Sequence, residues 1–161
     1  MKKLFIIFFL YTNVSLSLEI GCNFEEVYTS GEIQNGILLF KNKNMRYEYF
    51  ENELYTLIHK NNSFYLIHNF NTDIVEKINK NTDIIQNIND IIQDYPLIRD
   101  TYETNNLKIT IEKNSSNFIK RIGVQSSENN LSINFFNCSF MPIDDKYFKH
   151  FNFVKYNKKN D

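Results

Sequence analysis

Three histidines, His59, His68 and His150, are the side chains whose type suits metal binding or general-base chemistry near neutral pH. Either role needs partners at defined spacing, and no Asp, Glu or Cys cluster accompanies them. If the chain turns at Asn61-Asn62, His59 and His68 lie several strand positions apart and cannot share a ligand, so they read as ordinary strand histidines. Asp144-Asp145 would work as a carboxylate pair only if both pointed the same way, whereas neighbours on an extended chain point oppositely. A solvated turn accounts for them. No G-x-S-x-G, phosphate loop, H-E-x-x-H or C-x-x-C is present, so no enzyme activity, cofactor or metal is expected.

The two cysteines, Cys22 and Cys138, belong to a different chemistry, set by compartment. The chain opens MKKLFIIFFLYTNVSLS: two lysines, an apolar run from Leu4 to Leu10, then small residues at Ser15 and Ser17. That is the layout of a secretory signal peptide, its apolar run far short of the roughly 20 residues that span a bilayer. Cleavage after Ser17 would leave residues 18–161 as one exported domain. Gly21-Cys22 follows closely, but Glu19 occupies the apolar position of a lipobox, so acylation at Cys22 is not expected. In an oxidising compartment the cysteines either form a disulfide, worth roughly 2–4 kcal/mol, or stay as two buried thiols; sequence separation does not decide between them.

Bulk composition narrows the partners. A formal charge of -1 lacks the basic footprint that a phosphate backbone requires, so no nucleic acid is expected. With 15 Phe and 10 Tyr against 4 Gly and 2 Pro, the chain favours strands over linkers. Short apolar or alternating bursts predict strands over residues 25–29, 34–40, 45–50, 54–59 and 63–69, with a further one near 73–78. A two-residue loop at Asn61-Asn62 would set Leu57 opposite Leu66, His59 opposite Phe64 and Tyr55 opposite His68.

The period then changes, because Ile84, Ile85, Ile88, Ile91 and Ile92 form one stripe of an α-helix. Pro96 would open a second helical turn carrying Leu97, Ile98 and Tyr102. Strands resume over 107–112, 118–125, 131–138 and 147–155. The resulting fold class is mainly β, an antiparallel meander curled into an unclosed half-barrel, with the helix inserted mid-chain as a plug or lid.

Against that frame, Gly36-Ile-Leu-Leu-Phe40-Lys-Asn-Lys-Asn-Met45-Arg-Tyr-Glu-Tyr49 resembles the signature of the LolA family, periplasmic carriers of outer-membrane lipoproteins. In that family a glycine-led apolar strand enters an Arg-Pro turn, here Lys41-Asn42, and then a Phe-Arg-Trp-Glu-Tyr-like strand. The hairpin from Glu53 to Lys77 and the ending INFFNCSFMPIDDKYFKHFNF are similar in order and spacing.

The resemblance implies a half-open barrel whose hollow side holds acyl chains beneath a helical lid, without catalysis. Strand parity places Ile37, Leu39 and Lys41 on that side, joined by Met45, Tyr47 and Tyr49 on the next strand. With Leu57, Phe64, Leu66 and the stripe of Ile84, Ile85, Ile88, Ile91 and Ile92 they are expected to line the groove, and the same residues could equally make a plain core. Lys41, at the position of the family's arginine, is expected to clasp a carbonyl of the lid or a loop. The implied partners are acylated lipoproteins, an inner-membrane ABC-type lipoprotein-releasing complex and an outer-membrane acceptor, with the carrier itself a monomer. Two other readings stand beside it: a lipid- or lipoprotein-sensing domain of the same fold, and a disulfide-closed structural domain that binds no lipid.

Overall fold

The computed structural model describes residues 18–78, 83–104, 106–126 and 130–149. Residues 1–17, expected as a leader, and the chain from His150 onward, with most of the strand expected over 147–155, lie outside the described residues.

Among the described residues one α-helix and ten strands occur, and all but β7 follow the order anticipated from the periodicity: β1 Glu19–Tyr28, β2 Ile33–Lys41, β3 Asn44–Tyr49, β4 Tyr55–Lys60, β5 Ser63–His68, β6 Asn71–Ile78, α1 Asp83–Gln93, β7 Thr101–Thr104, β8 Leu107–Lys113, β9 Ile119–Ser126 and β10 Asn130–Phe140. All pair antiparallel in one sheet, β6-β5-β4-β3-β2-β1-β10-β9-β8-β7, so two meanders meet where the first strand pairs with the last and β6 and β7 are left as edges. The sheet is therefore not closed.

That central ladder is irregular. Between Gly21 and Asn23 the β1–β10 register shifts, and Asn137 takes a positive φ of 51°. Cys22 and Cys138 are disulfide-bonded at this bulge, their Cα atoms 4.1 Å apart and separated by 116 positions in sequence. The bridge fastens the two meanders to each other at their junction.

Turn chemistry sets the register elsewhere. Asn61 and Asn62 both have positive φ, which lets two residues reverse the chain, and Leu57 pairs with Leu66, His59 with Phe64 and Tyr55 with His68, as the sequence suggests. Asn42 and Lys43 do the same between β2 and β3, with φ of 49° and 69°. Their loop sets Phe40 opposite Met45 and Leu38 opposite Tyr47. This corrects one expectation: Met45, Tyr47 and Tyr49 share a face with Gly36, Leu38 and Phe40, whereas Ile37, Leu39 and Lys41 lie on the opposite face beside Arg46 and Glu48. Because side chains alternate, a one-residue error in reading the turn reverses a whole strand.

Two further expectations change. No helical turn follows Pro96; the peptide before it is cis, and Tyr102 sits in β7 as an edge strand. Asp145–Phe148 form a 3₁₀ turn in place of the start of a strand, capped by Asp144, whose Oδ1 accepts from the Lys146 amide at 2.8 Å.

The core face is packed against α1, and the outer face is covered over β3 and β4. On the core face, Ile20, Phe24, Leu38, Met45, Tyr47, Leu57, Ile122 and Ile133 pack with Ile85, Ile88, Ile91 and Ile92 of α1. On the outer face the segment 143–148 covers Arg46 and Glu48, both fully buried and paired at 2.6 Å. Arg46 Nη1 also donates to the carbonyls of Tyr147 at 3.0 Å and Lys149 at 3.2 Å, so the guanidinium anchors the 3₁₀ turn to β3. Burial pulls its pKa down, and the Glu48 carboxylate opposes that shift.

Candidate functional site

A cleft of about 300 Å³ lies between the first turn of α1 and the core face, lined by Glu26, Tyr28, Tyr49, Tyr55, Leu57, Leu66, Ile84, Ile85 and Leu131. Antiparallel pairing explains who meets there. Tyr49 stands next to Tyr47 along the core side of β3, Tyr47 is opposite Leu57, and Leu57 is opposite Leu66, which lays an aromatic and aliphatic floor across β3, β4 and β5. β1 and β10 supply the other wall through Tyr28 and its partner Leu131.

Of the residues the sequence nominates, Tyr49, Leu57, Leu66, Ile84 and Ile85 line the cleft. Met45, Tyr47, Phe64, Ile88, Ile91 and Ile92 belong to the packed core around it. Ile37 and Leu39, half-buried on the far face, do not contribute.

Lys41 does act as a clasp, though of another element. Its Nζ donates to the Ile143 carbonyl at 2.5 Å and pairs with Asp145 at 2.9 Å and, more distantly, with Glu19 at 3.8 Å. It therefore holds the C-terminal segment against the outer face and does not touch α1. These carboxylates and the hydrogen bond raise the Lys41 pKa, the bond to Asp145 foremost.

At the base of the cleft is a group the sequence reading passed over. Glu26 is 3 % exposed, and its carboxylate accepts from Tyr47 on Oε1 at 2.6 Å and from Tyr28 and Tyr49 on Oε2 at 2.6 and 2.9 Å. Short bonds from phenols to a carboxylate are charge-assisted, which offsets the cost of removing the anion from water. Burial, followed by the pull of the Glu26 charge, raises the pKa of Tyr47 and Tyr49 well above the ordinary tyrosine value. Tyr28 and Tyr55 move the same way, burial again leading. The phenols remain protonated donors across the physiological range.

The rings are interlocked as well. Phe24 stacks on Tyr47 at 4.0 Å between centroids and meets Tyr49 edge-on at 5.4 Å, and Tyr49 meets Tyr55 edge-on at 5.2 Å. A signal for Glu26 was available: Ile20, Cys22, Phe24, Glu26 and Tyr28 alternate along β1, and one acidic residue interrupts an otherwise apolar face. Starting that strand at Glu25 hides the alternation.

The helix seat is imperfect in one place. Asn89, 2 % exposed within the isoleucine stripe, has an Oδ1 that meets no donor among the described residues, while its Nδ2 reaches Asp90 only at 3.4 Å. An orphaned buried acceptor costs roughly 1–3 kcal/mol, so α1 is held less firmly than its apolar stripe alone would hold it.

The two histidines among the described residues have structural partners. His59 Nδ1 lies 2.9 Å from the Lys43 carbonyl and His68 Nε2 3.2 Å from Glu76. Among the described residues no group of three or more His, Cys, Asp or Glu is placed to hold a metal ion. No protein-family model matches the chain, and no curated protein matches it either.

Proposed function

We propose that the protein is an exported carrier of acylated cargo that receives an acyl chain in the cleft between α1 and the core face of the sheet, with α1 serving as its lid. The observation that carries this reading is the cleft itself: an apolar floor of Leu57 and Leu66 roofed by Ile84 and Ile85 of an amphipathic helix. Following the LolA resemblance, the cargo is a lipoprotein taken from an inner-membrane ABC-type releasing complex and passed to an outer-membrane acceptor.

Magnitudes support a carrier over a permanent binder. Each buried CH₂ contributes about 0.8 kcal/mol, so full enclosure of several chains would be nearly irreversible. A cleft of about 300 Å³ is at the small end for ligand sites and shields only part of a chain. Transfer then proceeds towards whichever partner shields more. With cargo absent, the seated helix keeps the apolar floor from associating wrongly.

The test is an environment-sensitive apolar dye added to the purified, delipidated protein, followed by displacement with a diacylated peptide. Saturable dye binding reversed by the peptide, with acylated material in the mass spectrum of what co-purifies, is the expected result. Absence of saturable binding would leave a closed structural domain as the better description. Binding without hand-over to outer-membrane vesicles would favour a sensor on the same fold.

A further inference from the structure

Glu26 brings a buried carboxylate to the cleft. Among the described residues no ion pair reaches Glu26; Arg46 is committed to Glu48 and Arg121 to Glu112. A carboxylate offers about four lone-pair positions to donors. Tyrosines 28, 47 and 49 occupy three of them with their hydroxyls. Glu26 also forms part of the cleft wall, which brings a ligand in the cleft alongside its side chain. Around it stand the rings of Tyr28, Tyr49 and Tyr55, and aromatic faces attract cations. A core that needed only packing would carry an apolar residue at this place, since an unpaired buried anion is costly.

We propose that Glu26 and its surrounding tyrosines form a subsite for a primary ammonium group attached to the acyl-bearing cargo, the ammonium taking the free position on the carboxylate while the chain lies on Leu57 and Leu66. This rests on the carrier reading and narrows it: the preferred ligand is an alkyl chain with a protonated amine near its head. Chain burial gives affinity without selectivity, and the carboxylate gives selection by charge. Two sources share this chemistry, the free α-amino group of a diacylated N-terminal cysteine and the headgroup of an aminophospholipid.

The experiment measures dissociation constants at pH 7 for dodecylamine and dodecanol below their aggregation limits, on the wild type and on Glu26→Gln. A charge-assisted contact is worth enough to favour the amine by about tenfold or more in the wild type. Glu26→Gln, which keeps size and an acceptor but removes the charge, is expected to bring the ratio of the two dissociation constants to about one, and that ratio is the readout because Glu26 itself lines the cleft. If the variant fails to fold, the wild-type comparison alone decides. Two further pairs locate the source: a diacylated cysteinyl peptide with its amine free or acetylated, and short-chain phosphatidylethanolamine against phosphatidylglycerol. A preference for the free amine in either pair supports the subsite and names its origin. Equal binding within all pairs overturns the subsite while the carrier reading stands; no binding of any member overturns both.

Discussion

The ring of Phe24 lies stacked on Tyr47 and directly over Gly36, its antiparallel partner on β2. A β-carbon at Gly36 would run into that ring and into the Glu48 carbonyl. The glycine that leads the apolar strand is thus there for space, and the Phe24 ring it admits fixes the tyrosines that hold Glu26.

Gly36→Ala is accordingly expected to cost about 1–3 kcal/mol, the range for overpacking a core. Urea unfolding checks it, and a midpoint equal to that of the wild type would show that β2 shifts freely.

The tyrosine cluster gives a pH dependence with a definite sign. Tyr28, Tyr47, Tyr49 and Tyr55 have pKa values raised in the folded state above the ordinary value of 10.0. Above pH about 10 the unfolded chain releases these protons first, so stability is full below that pH and is lost as pH rises towards the folded values. Absorbance of tyrosinate is expected to rise in two stages: exposed phenols near pH 10, then the cluster in one cooperative step coincident with loss of strand signal. A single non-cooperative titration of all tyrosines would show that the cluster is open to water.

Asn89 tests whether α1 is meant to leave its seat. Asn89→Leu removes the orphaned Oδ1 and should stabilise the fold by roughly 1–3 kcal/mol. If α1 is a lid, dye affinity falls as stability rises, because the closed state is favoured. Unchanged dye affinity in a stabilised variant would show that ligand entry does not require the helix to move.

Lys41 separates the two faces. Lys41→Leu breaks its bonds to Ile143 and Asp145, so hydrogen exchange at the amides of Tyr147 and Lys149 should accelerate while those of α1 stay as they were. Faster exchange across Ile88–Ile92 would mean that the two covers of the sheet are coupled.

Much of this was legible from residue order. The isoleucine stripe, the Asn61-Asn62 hairpin and most strands follow from period and turn chemistry, which act locally. What escaped depended on contacts distant in sequence. The face of Ile37, Leu39 and Lys41 hangs on the positive φ of Asn42 and Lys43, since neither residue is a glycine that would announce such a turn. The role of Glu26 depends on phenols supplied by another strand, and the partner of Lys41 lies 102 positions away at Ile143.

The most direct measurement is photocrosslinking of a diacylated peptide carrying a diazirine on its acyl chain, followed by peptide mapping. Labels on Leu57, Leu66, Ile84 or Ile85 are the expected result, reduced in competition with unlabelled peptide. Labels confined to Ile37, Leu39 or other outer-face positions, or none that unlabelled peptide suppresses, would contradict a binding cleft beneath α1.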